Sequence, residues 1–189
     1  MTSQYNLSVD NLTDSFLETL REHYPHAKLQ IKVKAEKTFE GLTENKFWDI
    51  IALFDWADSE NDEMVIKKAV QTLVDTPVRH IYEFQDILSA KLYAIDTRKH
   101  AENTGENAWT GIDSDFSVDE FLYARCCCIA NGKAFYEKVL QQPDLMPRDL
   151  SFESLLTLAH KAYHLKTGKQ FRYVPTYNVE TFANQKGWI

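Results

Sequence analysis

Apolar residues recur at helical spacing over most of this chain, from about residue 43 to residue 168. Such spacing places the apolar side chains on one face of each helix. Thr43, Pro77 and Ser117 are residue types that begin helices, and Gly168 is the type that ends one. Ser117 also opens a capping box, because Glu120 follows three residues later. The pattern predicts five helices, over about 43–54, 65–74, 77–100, 117–139 and 152–168.

The first 40 residues follow a different pattern. Residues 5–9 and 28–36 alternate apolar and polar side chains, which predicts two half-buried strands. Between them a helical stripe runs from Leu12 to Tyr24, and Pro25 ends it. Together they predict a β-α-β segment with parallel strands. The expected fold class is therefore α+β and predominantly α. It comprises a β-α-β association segment over 1–40, then a helical domain over 41–189 with about five helices and an irregular, aromatic C-terminal tail.

Composition limits the possible partners. The net charge is −7, and acidic groups concentrate in 40–63 and 102–120. A protein that neutralises a nucleic-acid backbone needs clustered Lys and Arg, so we expect no nucleic-acid partner. Acidic faces of this kind are typical of solvated surface, and the alternative is a basic protein partner.

The cysteines and the N-terminus point to the cytoplasm. Cys126, Cys127 and Cys128 are consecutive, which suits a buried apolar cluster better than disulfides. The first residues lack the basic and apolar regions of an export signal. No apolar run approaches the roughly 20 residues that span a bilayer. We therefore expect a cytoplasmic protein without a membrane partner.

One polar stripe is a candidate functional site. Tyr82, Asp86, Tyr93 and Asp96 repeat at spacings of three and four along the helix that starts at Pro77, with Ser89 and His100 in the same register. Such a stripe can line a pocket, with Arg125 as counter-ion. The alternative is a structural hydrogen-bond network. Under either interpretation we expect Asp86 or Asp96 to pair with Arg125.

Two histidines four residues apart, His160 and His164, lie on one face of the last predicted helix. Their spacing allows both to reach one metal ion. However, Lys161 follows the first histidine where the zinc-binding motif has Glu, and no third ligand is indicated. We expect neither a metal site nor a cofactor.

Motifs in the second half of the chain carry a family resemblance. They are Ser117–Phe121, Arg125, Asn131–Glu137 and Gln142–Asp144. From about Phe47 to Trp188 the chain resembles the bacterial domain-of-unknown-function family numbered 4240. It departs from the family pattern at Val118, where Asp is common, and after Arg125, where the usual Trp is replaced by Cys. The resemblance implies a helical fold and no established activity, and it supplies no catalytic residue.

Two functions follow as alternatives. The first is a non-enzymatic protein–protein interaction or regulatory module that forms a homo-oligomer through the open edges of its N-terminal strands. The second is a small hydrolase or transferase that uses the pocket lined by Asp86, Asp96, Arg125 and the tyrosines, where two carboxylates divide acid and base roles. The sequence favours the first, because it shows no nucleophile–base set.

Overall fold

Helices account for all regular secondary structure in the residues that the computed structural model describes, which are 13–26, 28, 41–58, 61–111 and 115–189. The chain divides into two compact units, Met1–Phe39 and Glu40–Ile189. The helices are α1 (Asp14–His23), α2 (Glu44–Ile51), α3 (Asp62–Val74), α4 (Val78–Ala94), α5 (Arg98–Ala101), α6 (Val118–Ala130), α7 (Lys133–Gln141) and α8 (Ser154–Thr167). Short 3-10 turns lie at Trp56–Asp58, Pro143–Leu145 and Gln185–Trp188.

The predicted α+β class is wrong, because the described part of the chain is all-α, with eight helices and no strand. The two strands predicted over 5–9 and 28–36 lie outside the described residues, except for Lys28, which has no regular structure. The class was mispredicted because the alternation of apolar and polar residues describes only the order of the side chains. A strand also needs a neighbouring strand to pair with its backbone, and the alternation does not show whether there is one. A helix closes its hydrogen bonds within itself, so its pattern is the more dependable local signal.

In the first unit, α1 is the element described. The helix predicted there is confirmed over Asp14–His23. Thr13 caps it, because its Oγ1 accepts a hydrogen bond from the backbone N–H of Phe16 at 3.3 Å. No residue of α1 is buried, and its apolar residues Leu17 and Leu20 are half-buried.

In the second unit, α4 contacts α2, α3, α6 and α8, and α8 packs most extensively against α3. The core is apolar and aromatic, with Phe47, Phe84 and Phe121 almost fully buried. The rings of Phe47 and Phe84 lie 4.9 Å apart and join α2 to α4. Thr43 and Ser117 cap α2 and α6 as predicted, each accepting a backbone N–H three residues later.

Two of the five predicted helices are each divided in two. The helix expected over 77–100 ends at Ala94, and α5 begins after Thr97, whose side chain caps it. The helix expected over 117–139 is interrupted at Asn131 and Gly132. Gly132 has φ 89° and ψ 172°, a conformation that is essentially restricted to glycine. The apolar spacing continues across both breaks, which is why periodicity alone did not reveal them.

The C-terminal tail, residues 169–189, has no regular structure before its final 3-10 turn. It does not project into solvent. Phe171 is buried, and the ring of Trp188 lies 4.4 Å from that of Phe182 and 5.9 Å from that of Phe121 on α6. The tail therefore completes the core of the helical unit.

We predict that Gly132→Ala lowers the free energy of unfolding by about 1–3 kcal/mol, because a Cβ disfavours this backbone conformation. No atom lies within 4 Å of the position that the Cβ would take, so the cost comes from the backbone and not from a clash. Urea unfolding measures it. Lys133→Ala, one residue later at an exposed position, is the control and changes stability by under about 0.5 kcal/mol. Equal effects of the two substitutions would contradict the prediction.

Candidate functional site

The predicted polar stripe lies along α4 and continues past its end. Tyr82, Asp86 and Tyr93 are on α4, Asp96 is in the turn that follows, and Arg125 approaches from α6. All five contact the C-terminal tail. The three charged residues form hydrogen bonds with it, and the two tyrosines pack against its aromatic rings.

Asp96 is fully buried and accepts three hydrogen bonds from the tail. The donors are the backbone N–H of Phe182 at 3.2 Å, the backbone N–H of Asn184 at 2.9 Å and the indole Nε1 of Trp188 at 3.0 Å. Hydrogen bonds to an ionised acceptor are stronger than neutral ones, and they compensate for removing the charge from water. This carboxylate therefore fixes the path of the last eight residues.

Arg125 is also fully buried and holds the tail from the opposite helix. Its Nη1 donates to the carbonyl of Leu92 at 3.0 Å, and its Nη2 donates to the carbonyl of Val179 and to Oγ1 of Thr181, each at 3.0 Å. The guanidinium carbon lies 4.8 Å from the ring centre of Phe121. Burial lowers the pKa of Arg125, and the negative charge of nearby Asp96 opposes that shift.

The direct ion pair expected between Arg125 and Asp86 or Asp96 is not found among the described residues. Each group binds the tail instead. Asp86 accepts the Tyr173 hydroxyl at 2.5 Å and the backbone N–H of Thr176 at 3.0 Å. The hydrogen bond to Asp86 raises the pKa of Tyr173. The two carboxylates are therefore both occupied, at opposite ends of the tail.

The two tyrosines of the stripe hold aromatic residues of the tail. The ring of Tyr82 stacks on that of Tyr173 at 4.7 Å and 23°, and the ring of Tyr93 lies 5.0 Å from that of Tyr177. The carbonyl of Tyr93 also accepts the side-chain amide of Asn184 at 3.1 Å. No catalytic arrangement is needed to explain these positions.

His100 lies in α5, and its side chain contacts Thr97 and α7. Its Nδ1 is 2.7 Å from Oγ1 of Thr97, and its Nε2 is 3.2 Å from the carbonyl of Val139 on α7. A neutral ring that carries its proton on Nε2 satisfies both contacts, since Thr97 then donates to Nδ1. Burial lowers the pKa of His100 below its ordinary value of 6.5.

The three cysteines are buried in α6, as the sequence predicts. Burial raises the pKa of each thiol, and that of Cys128 reaches about 12. A thiol held protonated in this way is a poor nucleophile and packs as an apolar side chain.

The predicted histidine pair on α8 does not form part of a larger ligand set. His160 packs its ring 4.7 Å from that of Phe171, and His164 is exposed. Within the described ranges no group of three His, Cys, Asp or Glu side chains is arranged to hold a metal ion.

A cleft that the sequence pattern did not predict lies where α4, α8 and the start of the tail meet. Its lining, here called the tyrosine cleft, is Tyr82, Tyr163, Lys169, Gln170, Arg172 and Tyr173. The available signal was the close succession of Tyr and basic residues over 163–173. These residues alone do not indicate a cleft, because Tyr82 lies some eighty positions earlier in the sequence and only folding brings it next to them.

Most of the helical unit matches a known protein family. Residues 42–165 match the family described as protein of unknown function (DUF4240). The chain belongs to this family. The match runs from the start of α2 into the last turn of α8 and includes Asp96 and Arg125. It ends before the tail that these two residues bind. No curated protein and no solved structure matches the chain. Among the described helices, none has the length and apolar character to cross a membrane.

We predict that Asp96→Asn destabilises the protein by about 1–3 kcal/mol for each tail donor that loses its acceptor. Asn keeps the shape of the side chain but turns one acceptor oxygen into a donor. Urea unfolding measures the decrease in the free energy of unfolding. We also expect trypsin to cleave after Lys186 faster than in the wild type, because the tail is released. Asp86→Asn is the matched control at a half-buried position, with an expected loss of about 0.5–1.5 kcal/mol. An unchanged cleavage rate in Asp96→Asn would refute this role of the carboxylate.

We also predict a pH dependence that comes from His100. Because its folded-state pKa is lowered, its contribution to stability is complete above pH 6.5 and is lost as the pH falls through the folded-state pKa. Unfolding free energies measured between pH 8 and pH 5 test this. In His100→Gln we expect the free energy of unfolding to fall less steeply below pH 6.5. In Lys99→Gln, a substitution at an exposed neighbouring position, we expect it to fall as in the wild type. A decline of equal slope in His100→Gln would contradict the assignment.

Proposed function

We propose that this protein is a non-enzymatic interaction or regulatory module. The observation that carries the proposal is the complete burial of Asp96 and Arg125 beneath the protein's own tail. A hydrolase or transferase that used this stripe would need these groups to reach a substrate. Here they bind backbone groups of residues 179–184, and releasing them would leave two charges buried without partners, at a cost of several kcal/mol.

The other reactive groups of the helical unit support the same proposal. The cysteine thiols are buried, and their pKa values are raised. Asp86 is bound by Tyr173 and Thr176. The polar side chains of the stripe thus bind other parts of the same chain, and an exposed surface is where a partner would bind.

The first unit offers such a surface on α1. Leu17 and Leu20 lie on its apolar face and are half-buried, whereas Ser15 and Thr19 on another face are exposed. Apolar side chains left accessible on an amphipathic helix are typical of association sites. The polar face carries both signs of charge, from Glu18, Arg21 and Glu22, which suits pairing with an identical helix across a two-fold axis. The occupant that we propose is a second copy of this chain.

We predict that the full chain runs at about twice its 22.0 kDa mass in light scattering. The double substitution Leu17→Lys with Leu20→Lys is expected to yield monomer, because two charges then face the apolar contact. Ser15→Lys with Thr19→Lys adds the same charge to exposed positions and is expected to leave the dimer intact. A wild-type chain that stays at 22.0 kDa at all concentrations would refute the proposed association.

A further inference from the structure

The tyrosine cleft has the dimensions of a small-molecule site. Its volume is about 580 Å³, within the range of roughly 300–1,000 Å³ that ligand pockets occupy. Three elements form it, since Tyr82 comes from α4, Tyr163 from α8, and the other lining residues from the tail. All of its lining residues belong to the helical unit, and the proposal made for it does not depend on the association proposed for α1.

The aromatic wall of the cleft is held in place. Tyr82 and Tyr173 stack at 4.7 Å, and the hydroxyl of Tyr173 is fixed by its 2.5 Å hydrogen bond to Asp86. The ring of Tyr163 lies 5.8 Å from that of Tyr82, and Phe171 packs beneath both at 5.8 and 5.3 Å. Fixed rings lose little conformational entropy when a flat ligand stacks on them.

The rim of the cleft is cationic in a protein whose net charge is −7. Lys169 and Arg172 are both exposed there, and Oε1 of Gln170 accepts from Nε and Nη2 of Arg172 at 3.3 Å each. The carboxylates nearest to Tyr173 already have partners. Asp86 is bound by the tail, and Glu83 pairs with Arg79 at 2.6 Å. The two cations are therefore the charges in the cleft lining, and an anion is the ligand that they attract.

We propose that the tyrosine cleft binds a nucleotide, with the base stacked on the tyrosine wall and the phosphates held by Lys169 and Arg172. A planar ring joined to a phosphate is the ligand chemistry that uses both halves of the lining. Base–aromatic stacking accepts any base because it requires only a flat π face, and an arginine guanidinium matches phosphate oxygens in two-point contact. Bound here, a nucleotide joins α4 and α8 to the first residues of the tail.

The test is isothermal titration calorimetry on the full chain with ADP as the probe. We expect binding of one ADP per chain, and weaker binding of both adenosine and inorganic phosphate, because each offers half of the recognised chemistry. Lys169→Gln combined with Arg172→Gln is expected to weaken ADP binding at least about tenfold and to reduce its salt dependence. Lys99→Gln, an exposed position on α5, is the control for loss of one positive charge and leaves the affinity unchanged.

A second pair of variants tests the stacking. Tyr82→Leu is expected to weaken ADP binding about tenfold, whereas Tyr82→Phe, which keeps the ring, is expected to bind nearly as wild type does. Urea unfolding shows whether each variant is folded. If Tyr82→Leu does not fold, the substitutions at the exposed Lys169 and Arg172 still test the nucleotide site. Absence of ADP binding to the wild-type chain overturns the proposal. The proposal is also overturned if inorganic phosphate binds as tightly as ADP and Tyr82→Leu binds ADP as tightly as the wild type does, because the base would then make no contribution.

Discussion

The buried carboxylate of Asp96 organises the end of this protein. An ionised group can remain in the interior of a fold only when hydrogen bonds replace those it made to water. Asp96 accepts three such bonds, and all three donors lie in residues 182–188. Because two of the donors are backbone groups, the requirement fixes the course of the chain and not only a side chain. The final 3-10 turn and the packing of Trp188 follow from that course.

Arg125 supplies the second anchor with opposite charge. The two groups do not touch, yet the tail passes both, so that Val179 and Thr181 are bound by the cation and Phe182 and Asn184 by the anion. Buried charges of this kind seldom add net stability over an apolar core, but removing one partner is costly. Their contribution is to select one path for a segment that has no helix or strand to define it.

The position of the tail has a consequence at its other end. Asp86 binds Tyr173 and Thr176, and this brings Tyr173 onto the ring of Tyr82. Lys169 and Arg172 then lie at the edge of the same rings. The tyrosine cleft is therefore a product of the anchored tail, and the proposed nucleotide site and the buried stripe belong to one arrangement of α4 and the tail.

The sequence by itself determined the elements whose bonds are local. Thr43 and Ser117 cap helices whose hydrogen bonds close within a few residues, so α2 and α6 begin where predicted. The stripe from Tyr82 to Asp96 was also visible, because helical spacing alone places it on one face. Tertiary structure decided the breaks at Ile95 and Gly132 and the all-α class of the described residues. It also decided which tail residues Asp96 and Arg125 bind. Those residues lie more than fifty positions further along the chain, where no short-range pattern in the sequence indicates the contact.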